Sequence, residues 1–209
     1  MIVSHIKTFF VFIWLFLFSA TLIWSSIQPS DRLVWLLEVL PAIIAVLVLA
    51  YTYRTFPLTP VNYFLILCHC IILMIGGHYT YAEVPLFNDL AHVLNSTRNN
   101  YDKLGHFAQG FVPALVAREV FIRLNVLKNT RWMTFFIICF CLAFSAFYEL
   151  IEWWVALLAD SNAQAFLGTQ GYIWDTQSDM AWALIGAISS LVLLSRIHDK
   201  QLGSLNRKT

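Results

Sequence analysis

Residues 132–158 read WMTFFIICFCLAFSAFYELIEWWVALL, and the only charged side chains in that run are Glu149 and Glu152. The run exceeds the about 20 apolar residues that cross a bilayer. In hydrocarbon every backbone N–H and C=O must be bonded within its own segment, so an unbroken apolar run of this length is a helix. A strand of an outer-membrane barrel would instead alternate apolar and polar side chains.

The rest of the chain follows the same rule. Of its 209 residues, 59% are hydrophobic and 12% charged, against roughly 25% charged in a soluble domain. This composition argues against a water-soluble monomer. Comparable runs cover about residues 8–27, 33–53, 61–79, 104–124 and 176–197. With 132–158 they make an all-α, polytopic membrane helix bundle of six transmembrane helices, a single integral membrane domain over 1–209. Breakers support the limits: Gln28-Pro29-Ser30 parts the first two spans, Pro57 and Pro60 precede the third, and Asn99-Asn100 precedes the fourth. The first run follows Lys7 like a signal peptide. It is long for an h-region and has no small-x-small cleavage site, so it reads as an uncleaved span.

Cation placement sets the expected orientation. Lys7, Arg54, Arg123, Lys128, Arg131, Arg196, Lys200, Arg207 and Lys208 fall on one side, and Arg32, Arg98 and Lys103 on the other. This asymmetry puts both termini in the cytoplasm of a multi-pass bacterial inner-membrane protein. The net charge of +1 argues against a nucleic-acid partner, which needs a basic face. Cys68 with Cys70 and Cys139 with Cys141 are two apart, a helical spacing that sends the thiols to different sides and reads as small buried hydrophobes. In the loop at 79–102, Leu86, Leu90, Val93 and Leu94 recur at helical spacing behind a cap at Asn88 or Asp89, as in a short interfacial helix; a mere connector fits equally well.

Charged groups inside spans are costly, and each is a functional candidate. Four groups stand out: His78 closing the third span, Asp102 and His106 opening the fourth, Glu149 and Glu152 near the end of the fifth, and Asp175 and Asp179 opening the sixth. Spacings of three and four put each pair on one helix face. With the expected topology all four groups meet at the outer end, in an anionic pocket beneath the loop at 159–174, which carries Gln164, Gly168, Gln170 and Gly171. The candidate catalytic residues are His106, Glu149 and Asp175; Asp102, Glu152, Asp179, His78 and Gln170 are candidate binding residues. His106, Glu149, Glu152, Asp175 and Asp179 also supply the oxygen and nitrogen donors of a divalent metal site. Without a metal, His106 oriented by Asp102 could act with a buried Glu in acid–base chemistry on a lipid-linked substrate. A cation-coupled transporter would place such residues in a wet vestibule. Packing glue between helices is the plainest alternative. Arg118-Glu119 reads as a snorkelling or interhelical pair, Glu38 as a headgroup contact, and Gly186 as a close helix contact.

Four stretches, GHYTYAEVP at 77–85, YDKLGHFAQG at 101–110, YELIEWW at 148–154 and FLGTQGYIWDTQSDM at 166–180, resemble the YjdF family of predicted bacterial inner-membrane proteins. The resemblance spans nearly the whole chain and implies location and topology, with no established activity. A fainter similarity is to VanZ-like membrane proteins, some linked to glycopeptide-antibiotic resistance. It rests on Asp102 to Phe107, on Glu149 to Glu152, and on Asp175, Asp179 and Gly186. The chain departs from that layout in having no Arg just ahead of Asp175, and Glu152 where Gln is usual. Three functions fit: a membrane enzyme or binding site for a lipid or cell-envelope molecule, a small-solute or ion transporter, and a structural partner protein.

Overall fold

The computed structural model describes residues 2–127, 129–158 and 169–206. Its helices are α1 (Ile2–Ser26), α2 (Arg32–Thr52), α3 (Pro60–Tyr79), α4 (Pro85–Val93), α5 (Tyr101–Arg123), α6 (Thr130–Leu158) and α7 (Asp175–Asn206), with no strand among the described residues. The chain is all-helical, as expected. Gln164 and Gly168, together with Lys128, Arg207 and Lys208, lie outside the described residues.

Helix starts have local causes. Asp31 stands ahead of α2 with an extended backbone, and its carboxylate accepts from the N–H groups of Leu33 at 2.7 Å and Val34 at 2.9 Å. Those are two of the donors that a helix N-terminus leaves unpaired. Pro60 and Pro85 open α3 and α4, where a missing N–H costs nothing. Helix α4 therefore begins at Pro85 instead of behind Asn88 or Asp89. No residue of α4 is buried, and Leu86, Leu90 and Val93 stand exposed on it.

Five helices, α1, α2, α3, α6 and α7, contain a stretch long and apolar enough to cross a membrane. Helix α5 does not meet that measure, because it carries Asp102, Lys103, His106, Gln109, Arg118 and Glu119. Its place in the bundle explains how it tolerates them. It packs against α3, α6 and above all α7, so His106, Gln109 and Glu119 are buried in protein instead of facing lipid. Helices α1 and α2 pack on the rest mainly through α3.

Close approach of α5 to α7 depends on small residues. A Cβ on Gly110 would fall on the Ala183 carbonyl, and one on Gly186 would fall on the Phe107 carbonyl. Ala114, Ala183 and Ala187 are fully buried at the same seam. Lipid tails are as apolar as leucine, so helices associate in a bilayer through such packing instead of through water exclusion. The outward faces are correspondingly apolar: Phe12, Phe16, Leu47, Phe135, Val192 and Leu193 are all exposed.

At the end of the bundle where α5 finishes, Glu119 is completely buried. Its carboxylate accepts from Thr59 N at 3.0 Å, Thr59 Oγ1 at 2.7 Å, Asn62 Nδ2 at 2.7 Å, Arg123 Nη1 at 2.9 Å and His198 Nε2 at 3.1 Å. Arg118 turns the other way and donates to His198 Nδ1 at 2.9 Å and Asp199 Oδ1 at 2.7 Å. Arg118 and Glu119 therefore each bind across to α7. This also explains why α7 runs well past the apolar stretch: His198 and Leu202 are buried there, and Gln201 Oε1 accepts from Val61 N at 3.0 Å.

Candidate functional site

A single stripe of α6 builds one wall of the site. Met133, Ile137, Cys141, Ser145, Glu149 and Glu152 are its buried residues, spaced by four and then three, so all lie on one helical face. The stripe is apolar at the start of the helix and acidic at its end. Helix α5 brings Asp102, His106 and Gln109 to the same level by the same spacing, and α7 brings Asp175 and Asp179. Asp102 with His106 and Glu149 with Glu152 converge, and Asp179 joins them from α7.

His106 is the centre. Its Nε2 lies 3.3 Å from Asp102 Oδ1 and 3.7 Å from Glu149 Oε1. Its Nδ1 lies 3.1 Å from Gln109 Oε1. A carbonyl oxygen only accepts, so Nδ1 donates to Gln109, while Nε2 is turned toward the carboxylates. Asp179 is 3% exposed and Glu149 9%, and Asp179 Oδ1 and Glu149 Oε1 have no hydrogen-bond partner. One ligand atom each from Asp102, His106 and Asp179 lie within 4.8 Å of one another, and the same holds for His106, Glu149 and Glu152.

Asp175 and His78 are placed differently from this centre. Asp175 forms an ion pair with Arg98, which also lies 3.6 Å from Asp102 Oδ2. In the sequence Arg98 stands out only as a cation of a connecting loop. No helical period places it, because it lies just ahead of α5 in an irregular segment. His78 is not brought to the cluster at all: its Nδ1 lies 3.0 Å from the Ser25 carbonyl and its ring packs on Trp24, with centroids 4.6 Å apart. The C-terminal turn of α3 faces α1 there, so a His at the correct depth points the wrong way.

Gln170 clasps backbone instead of the pocket. Its Oε1 accepts from Asn99 N at 3.0 Å, and its Nε2 donates to Asn99 O at 2.9 Å. Arg98 adds a donation to Thr169 O at 3.4 Å and sits 5.2 Å from the Tyr172 ring centre. The left-handed turn at Gln170 and Gly171, with φ of 45° and 80°, presents this side chain to the loop ahead of α5.

Glu38 corrects the expectation of a headgroup contact. It is buried and accepts from Tyr148 Oη at 3.0 Å. Tyr81 completes that side: its ring fills the space where Gly76 of α3 and Gly105 of α5 have no Cβ. Burial first, and then the nearby Glu38 carboxylate, hold the Tyr81 phenol well above its ordinary range, so it remains a donor. The signal for Tyr81 was the glycine spacing, Gly76 and Gly105 flanking a loop aromatic. Glu38 had none beyond being a charge within a span.

The acidic centre borders a cavity of about 960 Å³ between α2, α3, α5 and α6. Glu38, Asp102, His106 and Glu152 line one end. Ile44, Val48, Val116, Phe121 and Phe144 line the remainder, which extends to Thr52 and Phe56 near the other end of the bundle. Pro41 and Pro113 both border it. Helices α2 and α6 flank it without packing along their lengths.

Comparison with known proteins agrees with the sequence resemblance. The family described as predicted membrane protein (DUF2238) matches residues 10–200. The chain is 52% identical over 181 residues to the inner membrane protein YjdF of Escherichia coli (strain K12), covering 87% of each. The bacterial inner membrane expected from the sequence is the location in that relative's name. No solved structure matches the chain. A match over this much of the length, on a bundle whose apolar helices are long enough to span a bilayer, makes the chain a member of the DUF2238 family of predicted membrane proteins.

Proposed function

We propose that the protein is a membrane enzyme acting on a lipid-linked molecule of the cell envelope. In this reading it is one integral domain of six spans, α5 being the protein-enclosed one, with both termini in the cytoplasm and the acidic centre at the outer face. The observation that carries the proposal is the cavity: an apolar volume of about 960 Å³ that ends at Glu38, Asp102, His106 and Glu152. A hydrocarbon chain fits such a lining, and its polar head would then lie beside His106. The gap between α2 and α6 would let the chain enter sideways from the bilayer. His106 and Glu149 would exchange a proton with the head, and Asp102 would hold the imidazole in position. Apolar lining along most of the cavity supports a lipid over a hydrated solute, and so an enzyme or lipid-binding site over a transporter.

The test is photo-crosslinking with lipids bearing a diazirine in the acyl or polyprenyl chain, applied to the purified chain in nanodiscs. Adducts should map to α2 and α6, and Val116→Trp, which fills the cavity, should abolish them. His106→Ala should still form adducts but should no longer convert extracted envelope lipids, as followed by mass spectrometry. Equal labelling of the wild type and Val116→Trp would overturn the reading.

A further inference from the structure

We propose that His106 Nε2, together with carboxylate oxygens of Glu149, Glu152, Asp102 and Asp179, binds one divalent metal ion, and that Asp175 is not among its ligands. The inference rests on the functional reading above and changes one role in it: the ion would stand at the polar end of the same cavity, and His106, with Nε2 on the metal, would hold the ion instead of exchanging a proton.

Two sets of three donor atoms, each set within 4.8 Å, share His106 as their common member. One ion beside Nε2 would draw on both sets. The second observation is independent of the clustering. Asp179 Oδ1 and Glu149 Oε1 are buried and accept no hydrogen bond. A buried polar atom without a partner costs free energy, so two of them at one centre call for a ligand. The imidazole suits the same role: Gln109 accepts from Nδ1–H, so an ion that displaces the Nε2 proton would find the ring held as metal-bound histidines are held.

Charge points the same way. Glu38, Asp102, Glu149, Glu152 and Asp179 approach this centre, while the guanidinium of Arg98 is engaged by Asp175 and Asp102. Neighbouring buried carboxylates are held together by a cation or are forced to protonate. Asp175 contributes no atom to either set of three and is instead engaged by Arg98, which leaves it outside the ligand set. One imidazole with several carboxylates is a mixed nitrogen and oxygen set that suits Mn²⁺ or Zn²⁺ better than Ca²⁺. Asp102, His106 and Glu152 border the cavity, so coordination positions left open by the protein would face it. An anionic oxygen of a lipid head, which the carboxylates alone would repel, could bind there.

The experiment uses the full chain in detergent, stripped with a chelator, loaded separately with Mn²⁺ and Zn²⁺, desalted and assayed by elemental mass spectrometry. The wild type should keep about one ion per chain, and its thermal midpoint should rise with the metal. Asp179→Asn, Glu149→Gln and His106→Gln should retain about tenfold less or lower still. Asp199→Asn, at the opposite end, should retain the wild-type amount. Bound Mn²⁺ should show imidazole nitrogen in its electron spin-echo spectrum, and His106→Gln should lose that signal. Metal absent from a folded wild type would overturn the site, as would equal retention in the folded variants. Metal without a lipid adduct would support the ion and remove the lipid reading; adducts without metal would do the reverse.

Discussion

Tyr148 of α6 donates to Glu38 of α2 across 3.0 Å, bridging two helices that otherwise flank the cavity without packing along their lengths. The bond closes the gap only at the polar end. A charge that the sequence places in an apolar span thus becomes a latch between two otherwise separate walls. The arrangement ties the rim of the acidic centre on one side and leaves the rest of the gap unbridged by such a bond.

Tyr148→Phe should therefore destabilise the protein by about 1–3 kcal/mol, because it leaves a buried Glu38 oxygen without its donor. Thermal unfolding in detergent measures the loss. Glu38→Gln should cost less, since the amide oxygen can still accept from the phenol. Equal costs for the two changes would mean that the bond does not hold the rim.

Enlarging Gly110 tests the seam between α5 and α7. A Cβ there meets the Ala183 backbone, which cannot move as a side-chain tip can. Gly110→Ala should cost about 1–3 kcal/mol, the range of overpacked cores, and Gly110→Leu more. Gly203→Ala, with open space around it, is the control and should be close to neutral.

Glu119→Ala should be among the most damaging single changes at the end away from the acidic centre. It removes the common acceptor of Thr59, Asn62, Arg123 and His198 and leaves the Arg123 charge without its partner. Breaking a buried ion pair from one side costs about 3–5 kcal/mol. Asp199→Asn alters only an exposed partner of Arg118 and should fall below about 1 kcal/mol. Denaturation midpoints in one detergent compare the two.

Gln109→Leu addresses the imidazole without touching a carboxylate. Losing the acceptor of Nδ1–H frees the ring to turn, and metal affinity should fall about 10–100-fold. Competition with a chromophoric chelator measures it. Gln109→Glu keeps an acceptor and should retain most of the affinity.

The orientation of the bundle is open to a direct check. A reporter active only outside the cytoplasm, fused after residue 209, should give no signal, while the same reporter inserted in the loop at 94–100 should give a strong one.

Composition and run length were enough to establish helices across a bilayer, and spacing was enough to put Asp102 with His106, Glu149 with Glu152 and Asp175 with Asp179 on common faces. Both follow from local physics: the bilayer sets the length, and 3.6 residues per turn sets the face. The same periodicity is silent about which neighbour a face meets. His78 and Glu38 show this, since the first turned to α1 and the second to α6, opposite to what depth alone suggested. Arg98 and Gln170 lie in irregular segments, whose reach depends on the helices they join, so only the assembled bundle could bring them to Asp175 and Asn99. Helix α5 carries too many polar groups to look like the five apolar helices long enough to cross a membrane. Packing against α3, α6 and α7 buries those groups in protein, and the cavity beside it exists only because α2 and α6 stay apart.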